Sequence, residues 1–428
     1  MLNRNYFKLG AFSSREEIVA HQNTRLRRLV AHAYHNVPYY RRLFNDHGIQ
    51  PQDIRSVEDL HLIPMSSKAE LQQHTEDFLA RGFKASRMIV HKTSSSTGQP
   101  AIIYNSYWEE HLRHIRRWRL DYYYGLRPGD RKARIVMIHP SLPIFQLLLK
   151  VLSVSGIYKQ IDIDCLQSPE QILQQLSAHG PTVIVGFPGV INQVAQVVLK
   201  SDCKPIRPRC LTVGGEMLTP SMRHNISAVF GAPVYDVYSS HEFNLIAWEC
   251  IQSGLYHVCD DSVVLEVLSE GRPVREGECG EVVGTNLHSF TMPFIRFRLG
   301  DLVVKGPKHC PCGEPFSTLS ALQGRILDYF RLPNGRVIHP FSLPVALTPW
   351  IRNFTLVQEC EDLIIAHVVA SPDYTTDQVE ELKKSVHAVL GPGVKFAINF
   401  VPSIKPASSG KFQPYRTLAR NNHSQVPP

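Results

Sequence analysis

Several features that would place the chain in a membrane or outside the cell are missing from its sequence. No apolar run reaches the roughly 20 residues that a membrane-spanning helix needs, and the longest, residues 144–158, is interrupted by Lys150. Residues 1–10 contain no apolar segment of signal-peptide length, and the nine cysteines follow no regular disulfide spacing. We therefore expect a cytoplasmic protein with reduced thiols and no membrane partner.

Familiar catalytic and binding signatures are absent as well. No lysine follows Gly98, so the hydroxyl-rich stretch before it is not a Walker A loop. His241 and Glu242 do not begin a zinc-protease motif, because Leu245 occupies the place of the second histidine. The chain contains no motif of a nucleic-acid-binding fold, so we expect no nucleic-acid partner.

The charge of the chain is modestly basic, with a net value of +8 over 428 residues. One segment holds much of the excess, and only Asp121 and Asp130 oppose it; its cations are Arg113, Arg116, Arg117, Arg119, Arg127, Arg131, Lys132 and Arg134. On a helix the first three would share one face, which we expect to be solvated. The alternative is a surface for a polyanionic partner such as CoA or an acidic carrier protein.

The most informative stretch that is present combines five consecutive hydroxyl side chains with a glycine. It comprises Thr93, Ser94, Ser95, Ser96, Thr97 and Gly98. Apolar, strand-like segments flank it on both sides, which disfavours a disordered linker. Hydroxyl groups and exposed backbone N–H groups after a strand can donate to phosphate oxygens, and glycine allows close approach of the backbone. The stretch therefore predicts a polyphosphate-binding loop.

Short apolar strands alternate with helical segments between residues 133 and 240. We predict strands at residues 134–138, 182–186, 211–215 and 234–238, and helices at 169–178 and 192–200. This alternation predicts an α/β fold in which helices cover parallel sheets and ligands collect at the carboxyl ends of strands. An N-terminal helix is predicted over residues 15–33, with Ser14 and Glu17 as a capping box.

The pattern changes to β hairpins from residue 262 and to a small α+β unit after residue 328. The predicted elements of that unit are strands at residues 355–357, 363–369 and 395–401 and a helix at 376–389. We therefore predict a large N-terminal domain over residues 1–328, made of helix-covered parallel sheets and a β-rich subdomain. A small α+β C-terminal domain follows over residues 329–428.

Six motifs follow one another in a specific order. They are the hydroxyl loop at residues 93–98, Gly-Gly-Glu at 214–216, Tyr-Ser-Ser-His-Glu at 238–242, Arg-Phe-Arg-Leu-Gly-Asp at 296–301, Gly-Arg-Ile-Leu-Asp at 324–328 and Ser-Ser-Gly-Lys at 408–411. This series resembles the adenylate-forming superfamily of acyl-CoA synthetases and adenylation domains. Residues 35–40 and 62–68 make the chain look most like the phenylacetate–CoA ligase family, and the resemblance covers essentially its whole length.

The resemblance implies an ATP site assembled from these motifs. The loop at residues 93–98 would hold the phosphates. The remaining nucleotide contacts would come from Gly215, Glu216, Tyr238 and Ser239 around adenine and from Asp301 and Arg325 at the ribose and phosphate. Glu242 would hold Mg²⁺, since a hard carboxylate suits a hard cation. The chain departs from the family at Ser95 and Ser239, where glycine is usual, and at His241, where a small hydroxyl residue is usual.

The resemblance also implies a reaction with two steps. Lys411 would stabilise the adenylation transition state, and the small C-terminal domain would then turn about Asp328 for transfer of the acyl group to a thiol of CoA or phosphopantetheine. His241 would contact the substrate carboxylate or the acyl phosphate, or be a passive neighbour. The alternatives are transfer to an amine or other acceptor, and an inactive nucleotide-binding homologue.

Candidate residues for the acid pocket are judged by their places at strand ends. They are His139, Phe187, Gly189, Gly214 and Ser240. Phe187 and its apolar surroundings suit an aryl or hydrophobic acid. No acidic residue is clearly placed to hold an α-ammonium group, which disfavours a free amino acid.

Four residues form a candidate metal set in two separate turns. Cys250 and His257 flank one turn, and Cys310 and Cys312 lie in another. One histidine and three cysteines suit a closed, tetrahedral structural zinc site. On spacing alone free thiols are an equal alternative, and Cys259 and His309 are rival ligands. The family resemblance favours zinc, because its members often have such a site at matching positions.

Overall fold

The structure is a computed structural model that describes residues 12–92, 101–127, 129–138, 159–199, 206–325, 330–338, 340–405 and 413–418. Several predicted site residues lie outside the described ranges. They are Thr93, Ser94, Ser95, Ser96, Thr97, Gly98, His139, Asp328 and Lys411, and the side chain of Arg325 is not described either. No helix within the described ranges is both long enough and apolar enough to cross a membrane.

The described chain alternates between helices and strands through most of its length. Its helices are α1 (Arg15–Asn36), α2 (Pro38–Asp46), α3 (Lys68–Gln73), α4 (Tyr107–Tyr123), α5 (Pro169–His179), α6 (Pro188–Val198), α7 (Pro220–Phe230) and α8 (Thr376–Leu390). Its strands up to residue 286 are β1 (Ile89–Lys92), β2 (Ile102–Asn105), β3 (Arg131–Val136), β4 (Lys159–Asp164), β5 (Val183–Gly186), β6 (Cys210–Gly214), β7 (Val234–Ser240), β8 (Asn244–Glu249), β9 (Tyr256–Val258), β10 (Val263–Ser269), β11 (Arg272–Pro273) and β12 (Cys279–Asn286). Its later strands are β13 (Phe297–Lys305), β14 (Thr318–Arg325), β15 (Phe330–Arg331), β16 (Val337–Ile338), β17 (Ile351–Cys360), β18 (Leu363–Ala370), β19 (Lys395–Phe400) and β20 (Tyr415–Thr417).

The start of α1 shows how local sequence sets an element boundary. The Ser14 hydroxyl accepts a hydrogen bond from the Glu17 backbone N–H at 3.3 Å, as a helix N-cap should. The Glu17 carboxylate accepts from the backbone N–H of Ser13 at 2.8 Å rather than from that of Ser14. The helix ends at Asn36, because Val37 is extended and precedes Pro38.

Residue contacts divide the chain into two compact units. The first comprises residues 1–125 and 237–323, and the second comprises residues 126–236 and 324–428. The predicted domain boundary between residues 328 and 329 falls outside the described ranges and stays a prediction.

The first unit is built on antiparallel strands with helices α1 to α4. Its strands are ordered β11-β10-β12-β13-β14-β9-β8, followed by the end of β7. The turn after β10 is centred on Glu270 and Gly271, which both have positive φ, in agreement with the predicted hairpin. A fully buried aromatic cluster that includes Tyr40, Phe44 and Phe78 joins α1 and α2 to this core.

The second unit contains a parallel sheet and a separate, smaller sheet. The parallel strands are ordered β6-β5-β3-β4, and α5, α6 and α7 pack with them around one apolar core. The smaller sheet is ordered β19-β18-β17-β20 and packs with α8 around a second core. This arrangement confirms the predicted α/β class with a small α+β C-terminal part.

Two side chains of the helices that pack on the parallel sheet contact the smaller sheet within this unit. The side-chain amides of Asn192 on α6 and Asn225 on α7 both donate to the backbone oxygen of Arg352 in β17, at 3.2 and 3.3 Å. Asn192 is fully buried. These hydrogen bonds favour one position of the smaller sheet against α6 and α7. In any other position the buried amide and the backbone carbonyl would lack hydrogen-bond partners.

Candidate active site

The carboxyl ends of β5 and β6 bring five predicted site residues of the second unit together. Because these strands are parallel neighbours, with Gly186 opposite Val213, Phe187 and Gly214 lie at the same edge of the sheet. Gly215 has a φ of +78°, a conformation that favours glycine, and turns the chain toward Glu216.

A side-chain hydrogen bond ties these two strand ends to each other. The Glu216 carboxylate accepts from the backbone N–H of Gly189 at 3.0 Å, in the first turn of α6. A carboxylate is favourable at a helix N-terminus, where unsatisfied N–H groups and the helix dipole attract negative charge. The predicted helix start at residue 192 was therefore wrong: α6 begins at Pro188, with proline at its first position.

Strand β7 and strand β13 bring Tyr238 and Asp301 together in the first unit. The Tyr238 hydroxyl donates to an Asp301 carboxylate oxygen at 2.6 Å, and both side chains are partly buried. An ionised carboxylate can only accept hydrogen bonds, so the tyrosine fixes its orientation while the group keeps further acceptor positions.

The His241–Glu242 pair lies in the turn between β7 and β8. Glu242 is 8% exposed, and its backbone oxygen accepts from the Asn286 side chain at 2.9 Å. Arg113 on α4 donates to the backbone oxygen of His241 at 2.9 Å, and the Asn244 amide donates to the backbone oxygen of Arg113 at 3.1 Å. Helix α4 and this turn therefore hold each other through two reciprocal hydrogen bonds.

The same turn is braced from inside by packing. Asn244 has a φ of +64°, an uncommon value for a residue other than glycine. The Ser240 hydroxyl accepts from the Phe243 backbone N–H at 3.1 Å, and a side chain at Gly284 would come within 2.8 Å of the Phe243 ring. Strain of this kind persists where surrounding contacts impose it, and it is common at functional sites.

A histidine that the sequence interpretation missed packs against this turn. The rings of His91 on β1 and His241 are stacked, with their centroids 5.5 Å apart and their planes 28° apart. His91 Nε2 lies 2.8 Å from a carboxylate oxygen of Glu110 on α4. The sequence contained only one signal for this partner, namely its place immediately before the hydroxyl loop.

The predicted solvated face of the basic helix is corrected by the structure. Arg116 and Arg119 are 4% and 6% exposed, so neither belongs to an open cationic surface. Arg119 forms a bidentate ion pair with the buried carboxylate of Asp261. Arg117, in contrast, lies 3.5 Å from the hydroxyl of Ser239 in β7. The prediction of a solvated face is therefore wrong for Arg116, which is buried, whereas Arg117 is exposed as predicted.

The four predicted metal donors form one cluster in the first unit. One ligand atom each from Cys250, His257, Cys310 and Cys312 lies within 4.8 Å of all the others. The sulfurs of Cys250 and Cys310 are 3.7 Å apart. Two thiolates at about 2.3 Å from one tetrahedral zinc would be about 3.8 Å apart, so the donor spacing fits the ion. The rivals Cys259 and His309 are not part of this cluster.

Neighbouring groups orient these donors. The Ser253 hydroxyl lies 3.1 Å from the sulfur of Cys310, and the Tyr123 hydroxyl lies 3.9 Å from that of Cys250. His257 is fully buried and packs on Trp248, with ring centroids 5.4 Å apart. Such outer contacts are usual around metal ligands, and four protein donors leave no open position for catalysis.

Comparisons with known proteins place these motifs in a family context. Residues 333–416 match the CapK C-terminal domain family. A phenylacetate-coenzyme A ligase of Thermus thermophilus is 27% identical over 346 residues, which cover 78% of this chain and 76% of the relative. A phenylacetate-coenzyme A ligase of Aromatoleum evansii is 27% identical over 332 residues, covering 74% of this chain and 72% of the relative.

A solved structure matches nearly the whole fold. It is 2-hydroxyisobutyryl-CoA ligase in the postadenylation state in complex with R3-HIB-AMP, with 22% identity and a TM-score of 0.79. The match covers 95% of this chain and 90% of that chain. At this identity the likeness shows a shared fold, which agrees with the α/β architecture described above.

Proposed function

We propose that this chain, which is similar to phenylacetate-coenzyme A ligases over about three quarters of its length, activates a small carboxylic acid with ATP and transfers the acyl group to CoA. The observation that carries the proposal is the course of β7. Tyr238 on this strand is bonded to Asp301, and the strand leads directly into the turn that bears His241 and Glu242.

Each part of the nucleotide would have its own residues. Gly215, Glu216 and Tyr238 would contact adenine, Asp301 would accept the ribose hydroxyls, and the loop at residues 93–98 and Arg325 would contact the phosphates. Glu242 would hold a magnesium ion, which neutralises phosphate charge when it is bound. Lys411 would add a positive charge where the transition state develops negative charge.

The first chemical step forms an acyl-adenylate. A carboxylate oxygen of the acid attacks the α-phosphorus of ATP, a new O–P bond forms, and the bond to the β-phosphate bridge breaks as pyrophosphate leaves. In the second step the CoA sulfur attacks the acyl carbon and AMP departs with the bonding electrons, while the thiol proton passes to solvent. The protein forms no covalent bond, so positioning and charge stabilisation supply the rate.

The acid is proposed to be aryl or hydrophobic. Phe187 packs partly buried against the apolar core of the second unit, beside Gly189 and the end of β6. An apolar wall with few polar groups is typical of a pocket for such acids. His139 and Ser240 remain further candidates for this pocket. The names of the phenylacetate-coenzyme A ligases support the same class.

A structural zinc ion is proposed at the cysteine cluster. Cys250, His257, Cys310 and Cys312 would supply all four ligands, and the ion would tie the β8–β9 hairpin to the loop after β13. The donor spacing and the burial of His257 support this assignment.

Pyrophosphate exchange into ATP tests the proposed reaction. Purified protein would be screened with aryl, short aliphatic, fatty and amino acids, and products would be identified by mass spectrometry after CoA, a carrier protein or an amine is supplied. We expect exchange with an aryl or hydrophobic acid, and an acyl-CoA product. Lys411→Ala should lower exchange at least 100-fold while largely sparing thioester formation from supplied acyl-AMP.

Three outcomes would contradict the proposal in different ways. An amide or carrier-bound product would replace CoA as the acceptor. Exchange with none of the acids, despite measurable ATP binding, would identify an inactive nucleotide-binding homologue. Equal loss of both steps in Lys411→Ala would remove the assignment of that lysine to adenylation.

A further inference from the structure

Residues of three elements form a polar cluster next to the turn that bears His241 and Glu242. Strand β1 contributes His91, β2 contributes Asn105, and α4 contributes Glu110 and Arg113. His91 and Arg113 contact His241 directly. The residues of this cluster all belong to the first unit, and the predicted roles in ATP binding use none of them.

Glu110 is the centre of this arrangement. One of its carboxylate oxygens lies 2.8 Å from His91 Nε2, 3.4 Å from the Asn105 amide nitrogen and 3.5 Å from Arg113 Nε. Its other oxygen lies 3.7 Å from Nε2 of His114. Burial alone would raise the pKa of Glu110, but the hydrogen bond from His91 and the charge of Arg113 lower it to about 2.

An ionised Glu110 fixes the orientation of the His91 ring. A carboxylate can only accept hydrogen bonds, so Nε2 of His91 must be the donor, and this hydrogen bond restricts the orientation of the ring. The ring so held lies flat against His241, at 5.5 Å between centroids. Arg113, next to the same carboxylate, holds the main chain of His241 by its 2.9 Å hydrogen bond.

We propose that His91 is a positioning residue for adenylation, which Glu110 orients so that its ring supports His241 beside the reacting carboxylate and phosphate. This inference rests on the proposed function, since His241 is its link to the reaction. His91 itself touches no reacting atom in this scheme. Its ring limits the rotamers of His241, and small errors in the placement of a group at the reacting atoms are costly in rate.

The position of β1 in the chain gives this support a second consequence. His91 is separated from Thr93, the first residue of the hydroxyl loop, by Lys92 alone. The strand that leads into the predicted phosphate loop therefore contacts the turn that holds the predicted magnesium ligand. Disturbing His91 should affect the rate of adenylation more than the binding of ATP, because His91 itself supplies none of the predicted contacts with ATP.

Two substitutions of one residue separate the ring from its hydrogen bond. His91→Gln retains a donor for Glu110 but removes the flat ring, and His91→Phe retains a ring but removes the donor. We expect each to lower kcat for pyrophosphate exchange about tenfold or more, with the KM for ATP within threefold of wild type. Glu110→Gln keeps an acceptor oxygen for His91 and removes only the charge, so it should lower kcat less than His91→Phe does.

His114→Gln is the matched control. His114 lies beside the other oxygen of Glu110, and its side chain is 39% exposed. We expect its kcat to stay within twofold of wild type. Equal losses in His91→Gln and His114→Gln, or a loss in KM alone, would overturn the proposal.

A spectroscopic measurement separates this inference from the proposed function. In protein with ¹⁵N- and ¹³C-labelled histidine, the ring signals of His241 should move in His91→Gln and stay in place in His114→Gln, without any substrate. If His241 does not respond to His91→Gln, the positioning role is wrong whatever the enzyme does. If His241 responds but none of the tested acids supports pyrophosphate exchange by wild-type protein, the contact between the two rings stands. The proposed reaction and the catalytic part of this inference then both fail.

Discussion

Tyr238 and Asp301 are 63 residues apart in the chain, yet their side chains form one polar unit. Hydrogen bonds to a charged group contribute about 1.5–3 kcal/mol, so this contact is among the stronger ones at the candidate site. It fixes the carboxylate that we assign to the ribose. The assignment makes the pair a good place to test nucleotide binding at the scale of single residues.

We expect Asp301→Asn to weaken ATP binding by about tenfold or more, because an amide replaces an acceptor-only group where two hydroxyls must donate. Tyr238→Phe should weaken it less, since it removes the hydrogen bond but keeps the ring. Isothermal titration calorimetry with ATP measures both. Tyr122→Phe is the control: Tyr122 is an exposed residue of α4, and its substitution should leave the Kd unchanged. Similar Kd values in all three variants would remove Asp301 from the ribose site.

Single residues also show where sequence interpretation reached its limit. Tyr238, Glu242 and Asp301 were predicted because each lies in a motif with a fixed order along the chain, and the structure joins the first to the last by a hydrogen bond. Arg113, Arg116 and Arg117 were expected to share a solvated face, but Arg116 is buried. Its neighbour Arg119 is buried too, and the partner of Arg119, Asp261, lies 142 residues away. Burial of a charge depends on such distant partners, and no local pattern records them.

At the scale of elements, the β8–β9 hairpin and the loop after β13 depend on the cysteine cluster. Each of the two segments supplies two donors, and the four ligand atoms lie within 4.8 Å of one another. If zinc is bound, its binding energy is part of the folding energy of this region.

We expect purified protein to contain about one zinc per chain, measured by inductively coupled plasma mass spectrometry. Cys312→Ser should lose the metal and lower the Tm by about 5 °C or more, because the ion stabilises only the folded state. Cys279→Ser is the control, since Cys279 is exposed and lies outside the cluster. If purified wild-type protein contains no zinc and Cys312→Ser has the same Tm as wild type, the cluster holds free thiols.

The boundaries of elements were predicted best where one strong local signal defines them. Ser14 marks the start of α1, and β3, β5 and β6 begin and end within three residues of their predicted limits. The parallel strand β4 was not predicted. The start of α6 was placed too late, because Pro188 follows β5 after a single residue and reads as part of a loop. The Glu216 side chain that satisfies the N–H of Gly189 comes from another strand end, so it left no sign near residue 188.

On the scale of the whole molecule, the fold class could be predicted from the spacing of apolar residues and from the order of helices and strands, since both patterns extend over long segments of the chain. Alternating strands and helices indicated the parallel sheet, and a second α+β pattern indicated the C-terminal part. The contacts of Asn192 and Asn225 with Arg352 could not be predicted, since they join segments 160 and 127 residues apart. They show that the smaller sheet docks on α6 and α7 through main-chain recognition.

We expect combined Asn192→Ala and Asn225→Ala substitutions to loosen this docking. Both donors to the Arg352 oxygen would be lost, and the segment at residues 350–354 should exchange its amide hydrogens several-fold faster. Hydrogen–deuterium exchange with mass spectrometry measures the change. Gln174→Ala, at an exposed position on α5, should leave the exchange at wild-type rates. Unchanged exchange in the double variant would show that other contacts fix the smaller sheet.

The hydrogen bond between Glu216 and Gly189 has a consequence for how substrate preference could change. One carboxylate serves the predicted adenine slot and also caps the helix that follows Phe187, a predicted wall of the acid pocket. A mutation that reshapes the pocket by shifting that helix would move the cap as well. Adaptation to a new acid would thus alter nucleotide affinity, and directed evolution at Phe187 should select compensating changes around Glu216.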